Sequence, residues 1–206
     1  MHPSPEFRAK PPELAEYFVR EIGFAALFAT TPDGPRVAHT PIFLNDAGTH
    51  IRFHLARGNA LSRYLVGLPS IAVIQGPDAY VSAQDYVSTN QVGTWNYVAI
   101  ELEGTPTRLD DDGLHTFLTD LAAVQDARAG YAQPWSRDQM DPVTYNRLFS
   151  AIYGFEMRII AWRPTFKLSQ NRSDADHGAV AAALDQRGHS AIAQLMRHLP
   201  SLRAST

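Results

Sequence analysis

Apolar residues recur at every second position in several short runs of this chain, and that period constrains the fold more than any other feature. In "THIRFHLA", Ile51, Phe53 and Leu55 alternate with His50, Arg52 and His54. Successive strand side chains point to opposite faces, so the segment separates into an apolar and a polar set. "GTWNYVAIELEGTPTRL" extends the pattern, with Val98, Ile100 and Leu102 on one face and Trp95, Tyr97 and Ala99 on the other. "YGFEMRIIAWRPTFKLSQN" repeats it through Phe155, Met157 and Ile159. "FAALFATTPDGPRVAHTPIFLND" predicts two strands joined by a turn, where Pro32 pre-sets φ and Gly34 permits a positive one. "SIAVIQGPDAYVS" is a further apolar strand, kinked at Gly76 and Pro77.

Helical spacing is confined to other segments. "PPELAEYFVREIG" opens on prolines suited to a first turn and places Leu14, Phe18 and Ile22 on one face before Gly23. "RGNALSRYLVG" predicts a strand-to-helix turn, "DDDGLHTFLTDLAAVQDARAG" and "SRDQMDPVTYNRLFSAI" predict helices between strands, and "SDADHGAVAAALDQRG" and "HSAIAQLMRHL" predict terminal helices. Strands do not alternate regularly with helices, which argues against a parallel α/β sheet. The expected class is α+β, an antiparallel barrel in one domain over 1–206, with C-terminal helices from about residue 173.

With 45% hydrophobic residues among 206, a core forms without staples, and the absence of cysteine excludes disulfides, thiolate metal sites and thiol catalysis. No apolar run is long enough to span a bilayer, and "MHPSPEFRAKPPE" lacks a signal-peptide layout, so a cytoplasmic protein without membrane contact is expected. A formal net charge of -3 without a basic run argues against direct DNA binding.

Three places carry candidate chemistry. In "FHLARGNAL", a helix start would direct free N–H groups and a positive dipole end toward Arg57 and Asn59, the makings of a phosphate site; an ordinary capped helix is the alternative. Trp95 and Tyr97 would flank a planar ligand or serve as core. "FKLSQNRSDAD" concentrates donors after a strand: Lys167, Ser169 and Asn171 would share one face, Gln170 and Arg172 the other, and a polar loop with a helix cap is the alternative. His39 and His54 lie on inner strand candidates within reach of each other, and no third ligand stands at a metal-site spacing. Neither a Rossmann nor a P-loop glycine motif occurs.

"HTPIFL", "HLARGN", "IQGPDAYVSAQDY", "GTWNYVAIELEG", "GFEMRI" and "KLSQNR", in that order, resemble the PaiB family of FMN-binding negative transcriptional regulators. The resemblance implies a split β-barrel of the flavin-reductase and pyridoxamine-phosphate-oxidase type, a homodimer, and FMN at the subunit interface. It makes Arg57 and Asn59 phosphate candidates, with His54 and Ala56 beside the ribityl chain. His39 and Thr40 match a strand motif, Thr40 standing where leucine is commoner in the family. Trp95, Tyr97, Lys167, Ser169, Gln170 and Asn171 become the ring or interface contacts.

The resemblance leaves two functions open: a regulatory FMN protein with slow or no turnover, and an FMN-dependent oxidoreductase passing electrons to a small acceptor. A haem-degrading enzyme of the same fold is a third, and would need a better haem ligand than His39 or His54. A shared fold does not choose among them.

Overall fold

The computed structural model of the protein describes residues 4–8 and 12–198. Six strands, β1 (Phe24–Thr31), β2 (Gly34–Leu44), β3 (His50–Ala56), β4 (Ser70–Val81), β5 (Thr94–Arg108) and β6 (Ile152–Lys167), join in a closed ring in the order β1-β2-β3-β6-β5-β4. The paired strands run antiparallel. The α-helices are α1 (Pro12–Ile22), α2 (Asp111–Arg128), α3 (Pro142–Phe149), α4 (Asp174–Gln186) and α5 (Ser190–His198). This is the expected α+β split barrel. Pro11 and Leu199, which the sequence pattern adds to the first and last helices, lie outside the described residues.

The described residues fall into two compact units, one drawn from 1–18, 75–101 and 163–206, the other from 19–74 and 102–162. In the second, β1 and β2 form a hairpin in register from Phe24 opposite Pro41 to Thr31 opposite Gly34. Its turn is closed by Gly34 at φ 98° and by the Thr31 hydroxyl, which donates to the Gly34 carbonyl at 2.8 Å. The core of this unit follows the period-2 rows. Ile51, Phe53 and Leu55 of β3 stand opposite Met157, Phe155 and Tyr153 of β6, and Phe53 stacks on Phe155 at 5.5 Å between ring centres. Ile51, Phe53, Phe155 and Met157 are fully buried, each contributing about 1.5–3 kcal/mol. Leu114 and Phe117 of α2 are buried as well. At Gly104 a Cβ would overlap the Arg158 carbonyl oxygen, so the close approach of β5 and β6 there requires glycine.

The first unit buries Val98 and Ile100 of β5 together with Val180 and Leu184 of α4 and Ile192 and Met196 of α5. Phe18 meets Phe166 edge-on at 5.2 Å. α4 begins where its sequence predicts, with the Ser173 hydroxyl accepting from the Asp176 amide at 3.2 Å.

Two expected helices differ. No helix follows β3: residues 57–67 form successive turns. Side chains there occupy the backbone groups a helix would use, since Asn59 Oδ1 accepts from the Leu61 amide at 2.9 Å and the Ser62 hydroxyl donates to the Arg57 and Asn59 carbonyls at 2.8 Å each. "SRDQMDPVTYNRLFSAI" splits into a short 3-10 turn, Arg137–Gln139, and α3, because Pro142 starts a helix with Asp141 as its cap.

Candidate functional site

Three buried rows of the second unit run out together. On β3 the row Ile51, Phe53, Leu55 is followed two residues on by Arg57; on β5 Leu102, Gly104 and Pro106 precede exposed Arg108; on β6 Met157 and Phe155 precede half-buried Tyr153. Each row therefore ends in a polar or cationic residue where the interior meets water. The ends converge: the Arg57 guanidinium lies 4.5 Å from the centre of the Tyr153 ring, and that of Arg108 lies 3.0 Å from it. One aromatic ring thus carries two cations.

Desolvation over the ring lowers the Arg108 pKa and the Arg57 charge lowers it further, against the opposing influence of Tyr153 and Asp111. Among the described residues neither forms an ion pair with a carboxylate. Arg57 has only a long contact, Nε to the Ile152 carbonyl at 3.4 Å, and its own amide donates to the Ala151 carbonyl at 2.9 Å. Two unpaired cations held by one ring suit a dianion.

The helix-terminus origin of this site is corrected. The amides of Arg57, Asn59, Leu61 and Ser62 are all bonded internally, so no helix N-terminus directs donors at a ligand. Asn59 spends its Oδ1 on the turn, and Ala56 is exposed beside Arg57. Thr40 is buried, its hydroxyl donating to the His54 carbonyl at 2.7 Å, which ties β2 to β3. His39 is exposed opposite Ala26 of β1, whereas the His54 ring lies 5.9 Å from Phe117. Burial lowers the His54 pKa, and its Nδ1 is buried without a hydrogen-bond partner.

The donor-rich run lies in the first unit and behaves differently. The strand ends at Lys167, and Ser169 takes a left-handed φ of 59°, so the expected alternation of faces breaks. Ser169 and Gln170 are buried and internally bonded. The Ser169 hydroxyl meets both amide atoms of buried Asn96 at 2.9 and 3.1 Å. Gln170 Oε1 accepts from the Leu168 amide at 2.7 Å, while its Nε2 donates to the Glu6 carbonyl at 3.0 Å and to the Phe166 carbonyl. Gln170 is a backbone staple. Lys167 is half-buried and donates to the Thr94 hydroxyl; desolvation and then the Arg172 charge lower its pKa. Asn171 is exposed, Tyr97 half-buried, and Trp95 is 53% exposed, meeting Tyr80 edge-on at 6.0 Å.

Residues 1–161 match the family described as "Putative FMN-binding domain". The chain is also 31% identical over 163 residues to protease synthase and sporulation protein PAI 2 of Bacillus subtilis, covering 78% of this chain and 77% of that one. The chain belongs to the PaiB-type FMN-binding family. FMN is its cofactor. The FAD and heme binding protein of Mycobacterium smegmatis shares the fold at TM-score 0.56 and 17% identity, with 78% of this chain and 73% of that chain covered. The flavocytochrome Anf3 of Azotobacter vinelandii does so at 0.55 and 14%, with 82% and 71% covered. A conserved hypothetical protein of Mycobacterium tuberculosis gives 0.56 and 13%, with 84% and 94% covered.

The residues present fit FMN at its phosphate end, on the evidence of the two guanidiniums without carboxylate partners. When bound, FMN supplies one- and two-electron redox chemistry. Sequence reasoning singles out Arg57 but not Arg108 and Tyr153, which the structure brings against it. The available signal was parity: Arg108 continues the row of Leu102, Gly104 and Pro106, and Tyr153 the row of Met157 and Phe155.

Proposed function

We propose that this chain is an FMN-binding regulatory protein, one domain over 1–206, that works as a homodimer with the FMN phosphate held between Arg57 and Arg108. The carrying observation is the pair of guanidiniums on Tyr153, at 4.5 and 3.0 Å, without a carboxylate partner. In this reading Tyr153 keeps the two like charges apart and lined up, and the phosphate supplies the missing counter-charge. The ribityl role of His54 rests on the family resemblance of "HLARGN" alone.

The dimer reading rests on the outward face of β1. Phe24, Ala26 and Phe28 are flanked by Pro41, His39 and Val37 on β2, and Ala26 and Phe28 by Val73 and Ile71 on β4. Phe24, Phe28 and Val37 are 49%, 44% and 46% exposed, so a face that would be polar if solvated is apolar instead. A second copy of this chain covers such a face with apolar area that its own inner core does not use. The regulatory part rests on the relative named as a protease synthase and sporulation protein. A net charge of -3 points to regulation through a partner or metabolite rather than by direct contact with DNA.

The test is a fluorescence titration of FMN and of riboflavin, with light scattering for oligomeric state. FMN should bind a dimer more tightly than riboflavin, and Arg57→Ala should weaken FMN about 10- to 100-fold, the worth of a charge-assisted hydrogen bond, while leaving riboflavin unchanged. Equal loss for both ligands would refute the phosphate assignment. Rapid steady-state oxidation of a nicotinamide donor would replace the regulatory reading with the oxidoreductase one.

A further inference from the structure

α2 and α3 frame a cavity of about 390 Å³ that shares no residue with the Arg57, Arg108 and Tyr153 cluster. That volume is at the small end of ligand sites, roughly 300–1,000 Å³. His115, Tyr145, Arg137 and Asp138 are among its lining residues.

The sequence assembles it locally. Asp141 caps α3 by accepting from the Thr144 amide at 2.9 Å, and Ser136 with Gln139 forms a capping box on the preceding 3-10 turn. Between those caps Arg137 and Asp138 stand side by side, Nε to Oδ1 3.9 Å, and mostly exposed at 63% and 88%. Their mutual bond is thus long and solvated, and both keep most of their hydrogen-bonding capacity.

His115 and Tyr145 of the lining are nearly parallel, and each also stacks on a ring outside the lining, Phe149 and Trp135. His115 lies on Phe149 at 4.0 Å and 10°, and on Tyr145 at 5.6 Å and 14°; Trp135 adds a ring 6.4 Å from Tyr145 at 26°. The Tyr145 hydroxyl meets His115 Nδ1 at 2.7 Å. Desolvation raises the Tyr145 pKa, with the Arg137 charge opposing it, so the phenol is neutral at pH 7.

We propose that this cavity binds a planar aromatic primary carboxamide. The ring matches the parallel His115 and Tyr145 rings, and the amide matches Arg137 and Asp138: its carbonyl accepts from the guanidinium while its N–H donates to the carboxylate. The charged pair is net neutral, which favours a neutral ligand. A carboxylate on the same ring would be repelled by Asp138, and an ammonium by Arg137. The proposal goes beyond the FMN reading and does not depend on it.

The test uses the full chain, with and without added FMN, and three probes of one shape: benzamide, benzoate and benzylamine, followed by amide shifts in nitrogen-15 spectra. Benzamide should bind at least about fivefold more tightly than either charged probe, with shifts at 137–146. Asp138→Asn should move the preference toward benzoate, and Arg137→Ala toward benzylamine. Equal binding of all three, absence of shifts at 137–146, or a preference untouched by both substitutions would overturn the proposal. Both side chains are exposed, so the variants should fold, and FMN titration of the same variants reads the flavin site separately.

Discussion

The cluster that ends the β3, β5 and β6 rows and the bend after β6 are both rich in hydrogen-bond donors, yet they use them in opposite ways. Arg57 and Arg108 stack on Tyr153 and form no ion pair with a carboxylate among the described residues. In the bend, Ser169 and Gln170 are saturated by Asn96 and by the backbone at Glu6, Phe166 and Leu168. Charge without a carboxylate partner at the end of a core row is what the proposed phosphate contact draws on. Saturated polar groups in the interior mark a place where the chain holds itself.

The largest effect expected from that contrast is in stability. Gln170→Leu leaves one amide and two carbonyls without their partner, and should cost about 3 kcal/mol or more in urea denaturation. A loss below about 1 kcal/mol would show that the bend is not self-contained. Arg108→Ala should do the reverse, lowering FMN affinity about 10-fold while thermal stability holds or rises, because the repulsion from Arg57 is relieved. A large stability loss with unchanged affinity would make Arg108 structural.

A third prediction concerns pH. Asp176 is buried and accepts from the Val87 and Ser88 amides at 2.9 Å each and from the Ser88 hydroxyl at 2.7 Å. The bonds from Ser88, chiefly, hold its pKa below the usual carboxylate value. The folded pKa lies under the unfolded one, so its stabilisation is full above about pH 4 and lost as pH falls through the folded value. The stability gap between wild type and Asp176→Asn should therefore shrink in acid; a gap that is flat with pH would contradict it. The smallest effect is expected at Asn171→Ala, an exposed position in the same donor run, where stability should change by less than about 0.5 kcal/mol. FMN affinity measured on that variant shows whether any part of the run reaches the ligand.

Much of the fold was legible because period-2 alternation is a local property. The rows Ile51 to Leu55 and Val98 to Leu102 are buried as their spacing requires, and α4 starts at its Ser173 cap. The helix after β3 was misjudged because Asn59 and Ser62 bond the backbone in turns, a competition that apolar spacing does not register. The burial of Ser169 and Gln170 is illegible in the sequence for a related reason. A polar residue is read from sequence as facing water or ligand, but one buried partner such as Asn96 reverses that.

The sequence by itself determined the strand set, the cysteine-free core and, through "HLARGN" and its companion motifs, membership in an FMN-binding family. Only the tertiary structure decided which polar residues are spent and which are free. Arg57, Arg108 and Tyr153 come from positions 57, 108 and 153, and strand pairing across the ring is what brings their ends to one place. Periodicity assigns each residue to a face; register, a nonlocal property, decides which face-ends meet.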